Sequence, residues 1–159
     1  VPRIGLISDT HGVLRPEARE FLRGSDFIVH AGDVGDDGPG ILDLLAALAP
    51  PAPVTVVRGN VDHGAWAAAL PETAVLQVGE VLVYVIHDLA RLDLDPVAAG
   101  FQVVVSGHTH RPAVETRRGV LYVNPGSCGP RRFKLPITAG ELLVEGTTVT
   151  PRIVELEVA

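Results

Sequence analysis

A lone cysteine, Cys128, has no partner for an intramolecular disulfide, which fits a reducing cytoplasm as the compartment. Lysine is nearly absent too: Lys134 is the only one, and every other basic residue is arginine. Basic residues number 13 against 19 acidic ones, giving a formal net charge of −6, and no basic patch suited to tracking a nucleic-acid backbone stands out. No apolar stretch is long enough to cross a bilayer; the longest, around Ile41 to Val54, is broken by Asp43 and three prolines. No charged segment followed by an apolar one precedes the first expected strand, so neither a secretory leader nor a membrane anchor is expected. Repeats, low-complexity tracts and linkers are also missing, so residues 1–159 are expected to form one domain. A chain of this length buries about 68–70% of its unfolded surface and needs neither a disulfide nor a structural metal to fold.

What is present is a series of short polar signatures, each at the end of an apolar run. They are Asp9-Thr10-His11, Gly32-Asp33, Gly59-Asn60, His87 and Gly107-His108-Thr109-His110. Together they offer two carboxylates, one amide and four imidazoles, a ligand set for a pair of divalent metal ions and hence for phosphoester hydrolysis. Part of the acidic excess is then ligand carboxylate, cancelled when cations bind. The preceding runs, such as Val81–Ile86 and Phe101–Val105, are short, β-branched and bounded by Gly, Pro or charge, so they read as buried strands. Ligands of open α/β sheets gather just past strand C-termini. Asp9 and His11 are two residues apart, as are His108 and His110. In an extended segment such residues point the same way, so each pair is expected to face one site.

The first half alternates strand and helix. Helices are expected over 16–23, opened by Pro16 and closed by Gly24, and over 40–49, ending at Pro50-Pro51. An Ala-rich piece over 64–70 follows the third strand. The second half reads as strands over 74–78, 81–86, 102–106, 112–117, 120–124, 137–144 and 147–156, with a short helix near 95–99. Arg118-Gly119 and Glu145-Gly146 mark hairpin turns. Strand–helix alternation followed by hairpins predicts an α/β fold of two sheets face to face with helices outside.

Each signature alone is weak. A Gly-Asp is an ordinary turn, and a histidine ending an apolar strand is more often a satisfied core residue than a ligand. Their joint occurrence in this order resembles the calcineurin-like metallophosphoesterase superfamily. The short length, the Gly59-Asn60-Val61-Asp62 loop and the Asn124-Pro125-Gly126-Ser127 turn are similar to its small YfcE-type phosphodiesterase branch. The resemblance covers residues 3 to about 132. It implies a four-layer α/β/β/α sandwich of two mixed sheets around a dinuclear centre. It also implies that Asp9, His11 and His110 hold one metal, that Asn60, His87 and His108 hold the other, and that Asp33 bridges both. Only an anion with two oxygens bridges cations about 3.5–4 Å apart, and a hydroxide between them is the expected nucleophile. The mixed nitrogen and oxygen set suits Mn²⁺, with Fe²⁺, Ni²⁺ or Zn²⁺ as alternatives. The expected substrate is a small phosphodiester or nucleotide, with Asp33, Asn60 and His108 as the residues closest to the chemistry.

Two positions depart from the family. Many members carry His after the Gly-Asn as a proton donor, where this chain has Val61. His87 is usually followed by Gly, where this chain has Asp88. Around the centre, Asn60 is expected to touch the phosphate as well as a metal. Arg131 or Arg132 either clamps a substrate phosphate or forms a solvated pair. His30 is expected to orient the Asp33 loop, Asn124 to Ser127 to brace the His108–His110 loop, and Cys128 to be a small buried residue. His63 is expected on the surface or bracing its loop, with proton donation in place of Val61 as the alternative. A competing reading is a non-catalytic interaction scaffold resembling retromer subunit 29; another is a phosphomonoesterase or nucleotide pyrophosphatase. A scaffold can lose ligands without penalty, whereas all seven positions here carry competent side chains. The sequence leaves homo-oligomerisation open.

Overall fold

The computed structural model describes residues 1–48 and 52–158. Two five-stranded mixed sheets face each other. The first takes β1 (Arg3–Ile7), β2 (Phe27–His30), β3 (Val54–Val56), β9 (Thr138–Glu145) and β10 (Thr148–Glu155) in the order β10-β9-β1-β2-β3. The second takes β4 (Thr73–Val78), β5 (Val81–Ile86), β6 (Val103–Val105), β7 (Ala113–Arg117) and β8 (Val120–Asn124) in the order β4-β5-β6-β8-β7. β1, β2 and β3 run parallel, as do β5, β6 and β8. The ends of β1, β2 and β3 therefore share one rim of the first sheet, and those of β5 and β6 share one rim of the second.

Alternation sets the layers. Val81, Val83 and Val85 of β5 join Ile4, Leu6, Val29 and Leu142 in a core between the sheets. Tyr84 and Ile86 of the same strand face outward onto Leu89, Leu92 and Phe101. On the outer face of the first sheet, helices α1 (Pro16–Leu22) and α2 (Gly38–Ala46) bury Ala18, Leu22, Ile41 and Leu45. A side chain at Gly5 would collide with Leu22 and Ser25, so its absence lets α1 lie close on the sheet. The outer layer on the second sheet is thin: a 3-10 turn at Leu89–Arg91 and the four-residue α4 (Pro96–Ala99). The α/β/β/α sandwich of two mixed sheets is present.

Element ends moved where local chemistry outweighed periodicity. α2 starts at Gly38 rather than residue 40, because Pro39 fits a first helical turn. Its expected end, over residue 49 and Pro50-Pro51, lies outside the described residues. The Ala-rich piece shrinks to α3 (Ala65–Ala68). Gln102 falls just outside β6: its backbone still bonds Leu82 and Leu121, and its side chain accepts from the Leu82 N–H at 2.7 Å. Among the described residues no helix is long and apolar enough to cross a membrane.

Candidate metal centre

The five signatures converge at the shared rim. Asp9, His11 and His110 form one cluster able to hold a metal ion; Asp33, His87 and His108 form a second. His11 Nε2 and His110 Nε2 are 3.2 Å apart, and both face Asp9 Oδ1, at 3.6 and 3.4 Å. In the second cluster His87 Nε2 lies 3.2 Å from Asp33 Oδ2 and 3.1 Å from Asn60 Oδ1. His108 Nδ1 lies 3.2 Å from the same amide oxygen. Asp33 Oδ2 also lies 3.5 Å from His11 Nε2, so this carboxylate faces both clusters. Each cluster draws residues from both sheets: Asp9, His11, Asp33 and Asn60 follow strands of the first, His87, His108 and His110 strands of the second.

The polar atoms fit a cation. His87 Nδ1 sits 2.7 Å from the Ala31 carbonyl oxygen, which only accepts, so Nδ1 carries the proton. Its Nε2 then presents a lone pair to a carboxylate and an amide oxygen, an arrangement satisfied by a second proton or by a metal. Burial works against protonating His87, but Asp33 outweighs it and raises the pKa. Burial likewise opposes charge on Asp33; His87 and the Val61 N–H outweigh it and hold the carboxyl at about 2. Asp9 Oδ1 is buried with no hydrogen-bond partner among the described residues. Its other oxygen accepts from Ser8 Oγ at 2.6 Å and the His108 N–H at 3.1 Å, leaving Oδ1 aimed into the first cluster. Two metal-binding sites with an intact ligand set are present.

One expectation about these pairs is overturned. Asp9, His11, His108 and His110 are not extended: their φ angles are +57°, +44°, +73° and +62°. His108 and His110 serve different clusters, as the family resemblance implied and against the spacing argument, whereas Asp9 and His11 do share one. The chain has left the strands and coils left-handed around the centre, with Asp33 at +58° as well. Such backbone costs roughly 1–2 kcal/mol per residue. Close approach adds a further demand: a side chain at Gly59 would overlap the Asp33 carboxylate, and one at Gly107 would overlap Ser8 Oγ.

Several surrounding residues behave as expected. His30 is buried and neutral, its pKa pushed down to about 4 by burial. Its Nδ1 accepts from the Gly32 N–H at 3.1 Å and its Nε2 donates to Thr10 Oγ1 at 3.0 Å, so it orients the loop before Asp33. Asn124 donates to the Gly107 carbonyl at 3.0 Å and to Thr109 Oγ1 at 3.1 Å, bracing the His108–His110 loop. Ser127 donates to the Asp9 carbonyl at 3.0 Å. Cys128 is fully buried, with its thiol pushed up to about 12 by burial, which leaves no thiolate for nucleophilic attack. Asp88 caps the 3-10 turn through the Ala90 N–H, and its second oxygen lies 3.9 Å from His108 Nε2.

Sequence reasoning missed Asp62. Its buried carboxylate accepts three backbone N–H groups, those of Asp33 at 3.0 Å, Gly35 at 2.9 Å and Gly59 at 2.8 Å. The only signal was an acidic residue two places after Asn60. Arg131 and Arg132 are both exposed. Arg131 folds back on the Leu135 carbonyl at 3.3 Å, whereas the charge of Arg132 is felt at His110, whose pKa burial already lowers against the pull of Asp9. Beside the second cluster a cavity of about 960 Å³ opens, bounded by Asn60, His87 and His108 and walled further out by His63, Asp88 and Arg91.

Comparison with known proteins agrees with this geometry. A probable metallophosphoesterase of Methanocaldococcus jannaschii is 38% identical over 138 residues, 78% of this chain and 67% of that protein. A structure described as a novel archaeal phosphodiesterase superposes with a TM-score of 0.77 at 22% identity, covering 96% of this chain and 99% of that one. Vps29 of Chaetomium thermophilum superposes equally well, with a TM-score of 0.77 at 17% identity over 98% and 97% of the two chains. At such identities the superpositions speak to the fold alone, and it is the complete ligand set that separates this centre from a scaffold. The sequence profile of the calcineurin-like phosphoesterase superfamily domain matches residues 3–147, and the chain belongs to that superfamily.

Proposed function

We propose that residues 1–159 act as one domain, a metal-dependent phosphodiesterase of the small YfcE-type branch, cleaving small phosphodiesters or nucleotides. The observation that carries this is Asp33 Oδ2, which faces both clusters at once. In this reading Asp9, His11 and His110 hold one divalent ion, Asn60, His87 and His108 hold the other, and Asp33 spans them. Mn²⁺ is the first choice for such a donor set, and a reducing cytoplasm suits the buried thiol of Cys128. When bound, two such ions lower the pKa of a water and offset charge on the phosphoryl oxygens. The chain's own groups do the rest. Asn60 turns its oxygen toward the imidazoles, which leaves its NH₂ to donate to a phosphoryl oxygen. Arg132, rather than Arg131, meets the phosphate from the side of His110. The cavity beside His108 has room for one ester arm. Val61 offers no proton, so the leaving group departs unassisted and activated diesters are favoured.

Turnover of bis(p-nitrophenyl) phosphate by Mn²⁺-loaded protein tests this reading. Asp33→Asn and His108→Ala should each lower kcat by about 10³-fold or more, the several kcal/mol a correctly held metal supplies, with far-UV dichroism unchanged. A variant that keeps wild-type turnover at saturating metal is not a ligand. Faster cleavage of alkyl monoesters than of aryl diesters would replace this reading with a phosphomonoesterase.

A further inference from the structure

Residues Arg131 to Lys134 are all exposed and place three cations and an aromatic ring in four consecutive positions of a chain whose net charge is −6. Phe133 stands out among them. It is 88% exposed, more than any other large apolar side chain among the described residues, and is the one aromatic ring in that group. It also sits at φ +54°, the second position of a tight turn closed by the Leu135 N–H on the Arg132 carbonyl at 3.1 Å. Gly or Asn is the ordinary occupant of such a left-handed position. A bulky ring there is strained, and packing among the described residues does not compensate for it.

The turn springs from the first metal cluster. The Cys128 N–H donates to the Ser8 carbonyl at 3.2 Å, and Gly129 presses against the carbonyls of Asp9 and Thr10 closely enough to exclude a side chain. Arg132 follows Gly129 by three residues, at most about 11 Å of chain. The turn is therefore close to the rim of the first cluster, and none of its residues lines the cavity that borders His108.

We propose that Phe133 is a stacking platform for a nucleobase and that Arg132 and Lys134 beside it meet the attached phosphate, making nucleotide-bearing phosphoesters the substrate class. This rests on the phosphodiesterase reading of the same centre. A single ring flanked by cations matches one base with its phosphate. An extended nucleic acid would need a longer basic track, and a membrane surface a wider apolar face.

Calorimetry of Mn²⁺-loaded protein with AMP and with ribose 5-phosphate isolates the base, since the two share sugar and phosphate. AMP should bind roughly 5- to 100-fold more tightly, the range of one base–aromatic stack. Phe133→Asn should erase that advantage while leaving ribose 5-phosphate affinity in place, and Phe133→Trp should retain it. Because Asn tolerates the left-handed turn, Phe133→Asn should also unfold at an equal or higher urea concentration, so lost binding cannot be lost folding. Equal wild-type affinity for the two ligands overturns the proposal even where the aryl diester is hydrolysed. Absence of all hydrolysis, with AMP still preferred, would instead strike the phosphodiesterase reading. If Phe133→Asn leaves AMP binding intact but releases the protein from phosphatidylglycerol vesicles or from a single-stranded oligonucleotide, the turn serves that surface and the nucleotide assignment fails.

Discussion

Val61 donates its backbone N–H to Asp33 Oδ1 at 3.0 Å while its side chain is 38% exposed. The backbone steadies the carboxylate, and the aliphatic group beside it has no proton to give. Because the position is open to solvent, Val61→His should be accommodated without repacking. We expect it to accelerate an alkyl leaving group at least about tenfold more than p-nitrophenolate, since proton donation, typically worth ~10²–10⁴-fold, matters most where the departing oxygen is basic. Parallel kcat measurements on an alkyl p-nitrophenyl diester and a dialkyl diester give the ratio. No change in either would assign the acid to His63, which lines the cavity bounded by Asn60, His87 and His108. At this scale the ligands were legible because Asp, Asn and His past strand ends have few other uses in combination. Asp62 was not: a carboxylate that binds only backbone looks, in sequence, like any loop acid.

The loops after β2 and β3 are separate in sequence but fastened by the Asp62 carboxylate, beside the single Val61 N–H bond to Asp33. Asp62 takes N–H groups from Asp33 and Gly35 on one loop and from Gly59 on the other. Asp62→Ala would leave two buried donors, the Asp33 and Gly59 N–H groups, and the half-buried Gly35 N–H unpaired, and at about 1–3 kcal/mol for each buried stranded group the loss should reach at least ~2 kcal/mol. Urea unfolding of metal-free protein measures it; a midpoint within error of wild type would show the loops to be held by other means. Strands were legible from β-branched runs and turn residues, and the outward and inward faces of β5 from simple alternation. The paired ligands were misread for a definite reason. Period-two logic ends where the strand ends: all four residues are left-handed, yet Asp9 and His11 share a cluster while His108 and His110 part, so spacing alone does not assign them.

Across the molecule, the two sheets meet along an apolar core and again at the rim, where both clusters take residues from both sheets. Metal bound there holds only to the folded arrangement, so it should stabilise by linkage. At free Mn²⁺ about 100-fold above each Kd, two independent sites give about 5 kcal/mol, a rise in Tm of roughly 10–20 °C for a chain of this size. Scanning calorimetry with Mn²⁺ and with chelator tests this, and an unchanged Tm would mean that the clusters do not bind metal as built. The left-handed ligand residues carry an evolutionary consequence. The apolar core between the sheets does not depend on the rim, so a lineage can abandon catalysis and keep the sandwich. Once metal is no longer required, Asp9, His11, Asp33, His108 and His110 are merely uncomfortable, and drift should carry those five positions toward Gly and Asn before it touches the strands. A descendant that has given up the chemistry would then be recognisable from that scar alone.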